Sequence, residues 1–136
     1  MPSKSKNLIP EYEPVTFSEE HGIRFLHFGT CWVQGAMRLD APDSIELEYA
    51  QQMMAGLIFL DPDDHHTNKF TPFQFTQLGL GTGALTKFAY KNFPKSKVTA
   101  VELNPGVIVA SKVMFSLPSP DKRLKLVQLD ALEFVL

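Results

Sequence analysis

The chain has 136 residues, 44% hydrophobic and 21% charged, a length and composition that suit a globular core and exclude a disordered segment. A formal net charge of −2 without a basic block argues against nucleic acid or an anionic membrane surface as the main partner. Cys31 stands alone, which excludes an internal disulfide and a cysteine metal cluster and makes a reducing, cytoplasmic setting the expectation.

Residues 1–20 carry Lys, Ser, Glu and the prolines Pro2, Pro10 and Pro14, and read as a mostly irregular leader. Its first residues, Met1 to Asn7, are polar with no long apolar run behind them, so neither a signal peptide nor a membrane span is expected. Residues 21–70 read as an N-terminal extension made of a β-hairpin and a helix. Ile23 to Phe28 is rich in β-formers, Gly29-Thr30 signals a turn, and Cys31-Trp32-Val33-Gln34 is again strand-like. Asp43 or Ser44 then caps a helix expected over 44–60, with Glu46 and Glu48 favourable near its start. Leu47, Ala50, Met54, Leu57 and Ile58 recur on one face of it, and Tyr49 and Met53 widen that face. A polar loop, Asp61 to Lys69, follows. Its Asp63-Asp64-His65-His66 run lacks a ligand at helical spacing, and neighbours on an extended loop point apart, so no metal is expected.

Residues 71–136 alternate strand and helix with short connections, the pattern of a parallel sheet with crossover helices. Strands are expected at 74–79, 98–101 and 124–129. Helices are expected at 83–93, ending near Pro94, and after Asn104-Pro105, where proline suits the first helical position. The fold class is α/β, a Rossmann-like doubly wound parallel sheet carrying an N-terminal hairpin and helix. The chain stops at Leu136 inside an apolar segment, which suggests a fragment or truncation of a longer domain.

The chemistry gathers at the strand ends. Gly79-Leu80-Gly81-Thr82-Gly83 is a glycine turn between a strand and a helix, where the backbone can bend sharply and a nucleotide-like ligand can come close. Glu102 ends the next strand, 21 positions after Gly81, where a carboxylate accepts hydrogen bonds from ribose hydroxyls. Asp130 ends the third strand and could accept from an exocyclic amine, cap a helix opening at Ala131, or do both. Gln34 could face the pocket from the hairpin or simply be solvated, and Tyr49 could face it or sit in the core. Cys31, beside Trp32, reads as a packed thiol, and His21 and His27 are isolated.

Leu78-Gly-Leu-Gly-Thr-Gly-Ala-Leu-Thr-Lys, Val98-Thr-Ala-Val-Glu-Leu-Asn-Pro-Gly-Val-Ile-Val-Ala-Ser and Leu129-Asp-Ala-Leu-Glu-Phe together resemble the class I S-adenosylmethionine-dependent methyltransferase core. More narrowly, with Phe115-Ser-Leu-Pro, Asp121-Lys-Arg-Leu, the hairpin with Val33-Gln34, Asp40 and the helix carrying Tyr49, they resemble the spermidine synthase (polyamine aminopropyltransferase) family over about residues 21–136. That resemblance implies S-adenosylmethionine or its decarboxylated form as co-substrate, with no metal. Glu102 would hold its ribose, Asp130 with Ala131 its adenine, and Gly79, Gly81, Thr82 and Gly83 would pass its sulfonium arm. Gln34 would touch the nucleoside from a lid, and Tyr49 would stand on the substrate side. The acceptor would be a small-molecule amine or another nucleophile. A homodimer is one expected assembly.

Three departures bear on the activity. The family usually carries Gly-Gly-Gly-Asp-Gly-Gly at the turn, and Thr82 stands where that aspartate handles the donor amine. Tyr49-Ala50-Gln51 replaces the family's Tyr-His/Gln-Glu. The family's catalytic aspartate follows a fourth core strand, beyond residue 136, so no residue here is assigned as the base and the chain is expected to be catalytically incomplete alone. Three alternatives therefore stay open: a methyltransferase, an NAD-dependent enzyme matching Gly-x-Gly-x-x-Ala at Gly79 to Ala84, and a non-enzymatic binding or assembly module.

Overall fold

The computed structural model describes residues 11–59 and 74–136. The described chain holds two three-stranded sheets. The first is antiparallel, β1 (Thr16–Glu20), β2 (Ile23–His27) and β3 (Gly35–Arg38) in that order. The second is parallel, β4 (Gln74–Leu78), β5 (Lys97–Glu102) and β6 (Leu124–Gln128), again in chain order. Helix α1 (Glu48–Ala55) runs into a 3₁₀ turn (Gly56–Phe59) between the sheets. Helix α2 (Ala84–Asn92) joins β4 to β5, α3 (Pro105–Met114) joins β5 to β6, and α4 (Ala131–Val135) follows β6.

The second half matches the expected elements closely, because each has a local start or stop signal. Asn104 caps α3 by accepting from the Gly106 amide at 2.9 Å, with Pro105 at the first helical position. Asp130 caps α4 through Oδ1, which accepts from the amides of Leu132 at 2.8 Å and Glu133 at 3.3 Å. Register puts Phe75, Val98 and Leu124 side by side, and Ala100 beside Leu126. These residues meet Ala89 and Tyr90 of α2 and Val107 and Ile108 of α3, so both helices pack the same face of the sheet.

The first half departs from expectation in four places. Ile23–His27 does pair antiparallel with a following strand, but that strand is Gly35–Arg38, just beyond the expected one, and Thr16–Glu20, placed in an irregular leader, is a further strand paired antiparallel with Ile23–His27. The turn between them is His21-Gly22, with φ of +51° and +77°, the left-handed pair that matches the twist of a two-residue hairpin. Consequently Cys31 to Gln34 is a loop rather than a strand, and the Cys31 thiol is exposed rather than packed. The helix is also shorter than 44–60, and neither expected cap forms. Ser44 Oγ donates to the Ala41 carbonyl at 2.8 Å within a turn, and Asp43 pairs with Lys91 at 2.5 Å. On α1, Tyr49 and Met53 do not extend a buried face, being 57% and 61% exposed, and Ala50 is its buried residue. Asp63, Asp64, His65 and His66 lie outside the described residues.

The two sheets share a core. Leu26 of β2 and Met37 of β3 pack with Phe115, the residue that ends α3. Two cations converge on that helix end: Arg24 of β2 donates to the Met114 carbonyl at 2.5 Å, and Lys87 of α2 donates to the Phe115 carbonyl at 2.7 Å. Positive charge there complements the helix dipole. Lys87 is only 2% exposed, and burial lowers its pKa from 10.5 to about 8, against the opposing pull of Asp43.

The unfolded chain therefore binds the Lys87 proton more tightly than the fold does. Below pH 8 the folded state carries the full cost of the buried ammonium, roughly 3 kcal/mol for a shift of this size. That cost is relieved as pH rises from about 8 towards 10.5. Urea midpoints measured across this range will rise less steeply for Lys87→Met than for the natural sequence; identical slopes would show that Lys87 is not the buried group responsible.

Candidate functional site

The carboxyl ends of β4, β5 and β6 meet along one edge of the parallel sheet. The Gly79 amide donates to the Val101 carbonyl at 2.8 Å and the Leu129 amide to the Glu102 carbonyl at 3.2 Å, which carries the ladder past the strand ends. Gly79, Glu102 and Asp130 are thereby placed on successive strand ends. Gly79, Gly81 and Gly83 have φ of +83°, +56° and +75°, so each turn glycine occupies the left-handed region. Space above them differs. A Cβ on Gly79 would meet nothing within 4 Å, and one on Gly81 only the Gln34 carbonyl at 3.9 Å. A Cβ on Gly83 would strike Leu117 Cδ1 at 2.8 Å. The first two glycines keep the backbone open to a ligand, whereas Gly83 is needed for packing.

Glu102 grips the turn itself. Its Oε2 accepts from the Leu80 amide and its Oε1 from the Asn104 amide, both at 2.9 Å. A carboxylate has about four lone-pair sites, so two such bonds leave capacity for hydroxyl donors. On the inner side of the turn, Gln77 Nε2 donates to the Gly79 carbonyl at 2.7 Å and the Leu80 carbonyl at 3.4 Å, and its Oε1 accepts from Thr86 Oγ1 at 2.6 Å. Leu80 is thus held at both its amide and its carbonyl.

The antiparallel sheet closes over this turn. Gln34, Tyr49, Gln77, Gly81 and Thr82 line one small cleft of about 60 Å³, together with Gly35, Ala36, Leu47, Ala50, Leu80, Ala84 and Leu85. Gln34 and Tyr49, each with a solvated or core alternative in the sequence, both border this cleft while remaining exposed. Every lining side chain is neutral. Thr82 is 4% exposed, and a Cβ on Gly35 would come within 2.5 Å of Thr82 Cγ2. Glu102, Asp130 and Ala131 lie outside the cleft, along the strand ends, with Asp130 engaged as a helix cap. Among the described residues no three His, Cys, Asp or Glu side chains cluster as metal ligands.

Sequence reasoning missed Gln77, whose signal was a polar residue two positions before the first glycine, on the same face of the strand as Phe75. It also missed Gly35, which only the approach of Thr82 makes necessary.

A strand, a left-handed glycine turn, a helix and an acid gripping the turn from the next strand define a Rossmann-like half-fold of the methyltransferase type. Comparison places it more closely. No family model matches the chain. It is 34% identical over 131 residues to the polyamine aminopropyltransferase of Neisseria meningitidis serogroup A, which covers 96% of this chain and 46% of that protein. The chain thus spans about half the length of the curated relatives it matches. The crystal structure of a probable spermidine synthase from Corynebacterium glutamicum superposes with a TM-score of 0.71 at 20% identity, over 88% of this chain and 42% of that one. Human methyltransferase-like protein 13, solved in complex with SAH, superposes with a TM-score of 0.60 at 30% identity, over 66% and 39%. Over nearly its whole length the chain is similar to the first part of polyamine aminopropyltransferases, and it has the fold of the first half of a class I methyltransferase core.

Thr82 stands under the Gly35 backbone in a cleft lined by neutral side chains. Thr82→Asp, which restores the aspartate common in the resembled family, will bury an unpaired carboxylate and cost about 3 kcal/mol or more in urea unfolding at pH 7. Part of the loss will be recovered near pH 4. Unchanged stability at pH 7 would mean that the Thr82 site accepts a charge.

Proposed function

We infer that the chain binds an adenosyl-sulfonium ligand, S-adenosylmethionine or its decarboxylated form, as the nucleotide-binding part of a spermidine synthase-like transferase. The observation that carries this reading is Glu102: its carboxylate joins the glycine turn to the end of β5 and retains acceptor capacity at the strand-end edge. The open space above Gly79 and Gly81 supports the fit, since a ligand backbone can lie where any side chain would stand. Glu102 takes the ribose hydroxyls, and Asp130 and Ala131 take the adenine. Gly79, Gly81, Thr82 and Gly83 flank the sulfonium arm, Gln34 closes over it, and Tyr49 stands on the acceptor side. The small cleft suits a short arm rather than a whole nucleoside, for which pockets of roughly 300 Å³ or more are usual. Residues 74–136 form the nucleotide-binding part, and the antiparallel sheet with helix α1, residues 16–55, forms the extension that borders it.

When bound, the sulfonium supplies an activated carbon: an amine forms an N–C bond to it as the S–C bond breaks, the thioether leaves, and a base takes up the amine proton. This chain's own contribution is orientation and the exclusion of water, and no residue of it is assigned as the base. Aminopropyl transfer to a small amine is the reading supported by the Neisseria relative, with no metal, a cytoplasmic setting and a homodimer as its further terms. Among the described residues no helix is long and apolar enough to cross a membrane. Methyl transfer is the second reading, favoured by the 30% identity to methyltransferase-like protein 13 and by Thr82 in place of an aspartate.

Calorimetric titration with S-adenosylmethionine, its decarboxylated form, methylthioadenosine and NAD tests the reading. Binding of at least one adenosyl-sulfur ligand, weakened about tenfold or more in Glu102→Gln, is expected from loss of hydrogen bonds to a charged acceptor. Preference for NAD, or no binding of any of the four, overturns it.

A further inference from the structure

The glycine turn is held open by a side chain that the resemblance assigns no role. We propose that Gln77 is the positioning residue of this site, clasping the turn from inside so that Gly79 and Gly81, on either side of Leu80, keep the left-handed conformation of an open turn; the ligand part of the proposal rests on the adenosyl-sulfonium reading. Three bonds fix its amide. Nε2 faces the carbonyls of Gly79 and Leu80, and Oε1 faces the hydroxyl of Thr86, a residue 1% exposed on α2. The two ends of the amide are chemically distinct, and here its donor end meets two acceptors and its acceptor end meets a donor. Gln77 therefore connects the last turn-ward side chain of β4, the turn backbone and the first turns of α2.

A Cβ on Gly79 would meet nothing within 4 Å, and one on Gly81 would meet only the Gln34 carbonyl at 3.9 Å, so packing at these two glycines is sparse. The buried Leu80 and Thr82 side chains anchor the turn and the Gly83 amide donates to the Leu80 carbonyl at 2.9 Å, while the side chains that hold its backbone polar groups are Glu102 on the Leu80 amide and Gln77 on the carbonyls of Gly79 and Leu80. The two grips divide the work. Glu102 faces the strand-end edge and is available to ligand, while Gln77 works from the inner side.

Gln77→Met keeps the length and removes both the donor and the acceptor. Thr86→Val keeps the shape of Thr86 and removes the hydroxyl that orients the amide. Without any ligand, amide hydrogen exchange at Leu80 and Gly83 will accelerate about tenfold or more in Gln77→Met, while amides in the middle of α3 keep their rates. With methylthioadenosine as probe, titrated at a temperature where every variant is folded, both single variants will weaken binding about tenfold. The double variant will be no weaker than the worse single one, since the two act through one hydrogen-bonded pair. A residue that merely stabilised the fold would lower the melting temperature without altering either readout. Unchanged turn exchange in Gln77→Met overturns the proposal. Faster turn exchange in a chain whose natural sequence binds none of the adenosyl-sulfur ligands upholds the clasp and overturns the ligand reading instead.

Discussion

Glu102 is the constraint on which the strand-end edge depends. One carboxylate accepts an amide from the turn after β4 and another from the turn after β5, so a single side chain sets the spacing of two crossovers. Charge-assisted bonds of this kind are shorter and stronger than neutral ones, which suits a half-buried acid that would otherwise lose hydration. The consequence spreads outwards. Asn104, whose amide Glu102 holds, caps α3 and also donates through Nδ2 to the Glu13 carbonyl at 2.8 Å, just ahead of β1. The same acid thus influences the glycine turn, the start of α3 and the entry to the antiparallel sheet.

The antiparallel sheet is correspondingly docked and does not hang as a free flap. The Gln34 carbonyl lies over Gly81, Gly35 abuts Thr82, and Arg24 reaches the end of α3. A lone helix end leaves several carbonyls without partners, and here two of them are met by cations from different elements. One of those cations, Lys87, is buried at an electrostatic cost. Its value to the fold is geometric: it ties α2 to the end of α3, next to the Leu26, Met37 and Phe115 contact that joins the two sheets. The tight approach of Gly35 also explains why Thr82 is poorly placed to become a carboxylate. The departure from the resembled family's turn is matched by a glycine in the sheet that covers it.

The parallel half was legible in the sequence because its punctuation is local. Pro94, Asn104-Pro105, Asp130 and the three glycines each act within a few residues of themselves, and the structure uses them at those positions. The antiparallel half was not, for two physical reasons. Its first strand, Thr-Phe-Ser-Glu-Glu, is exposed throughout and offers no apolar alternation. Its turn requires His21 at positive φ, which a histidine adopts far less readily than glycine. Helix α1 misled for another reason. An apolar stripe at helical spacing predicts burial only where something packs on it, and Tyr49 and Met53 remain largely exposed. At the site, Glu102 and Asp130 could be placed by register, whereas the role of Gln77 could not, because two of its three partners are backbone carbonyls that the turn presents to it only once folded.

The two faces of the parallel sheet divide the remaining work. Phe75, Val98, Ala100, Leu124 and Leu126 point to the face packed by α2 and α3. By register the opposite face carries Gln74, Thr76, Leu78, Lys97 and Lys125, which are exposed, with Leu78 at 51%, together with the half-buried Thr99 and Val127 and the buried Val101. Parallel sheets are normally covered on both faces. The strand-end edge does not depend on how that face is covered, since the glycine turn, Glu102 and Asp130 are placed by strand pairing and by the helices of the other face. Ligand geometry and sheet stability accordingly rest on different residues. Covering Leu78 and its neighbours would raise stability while leaving the turn in place, whereas changes at Gln77, Leu80 or Glu102 act on the turn whether or not that face is covered.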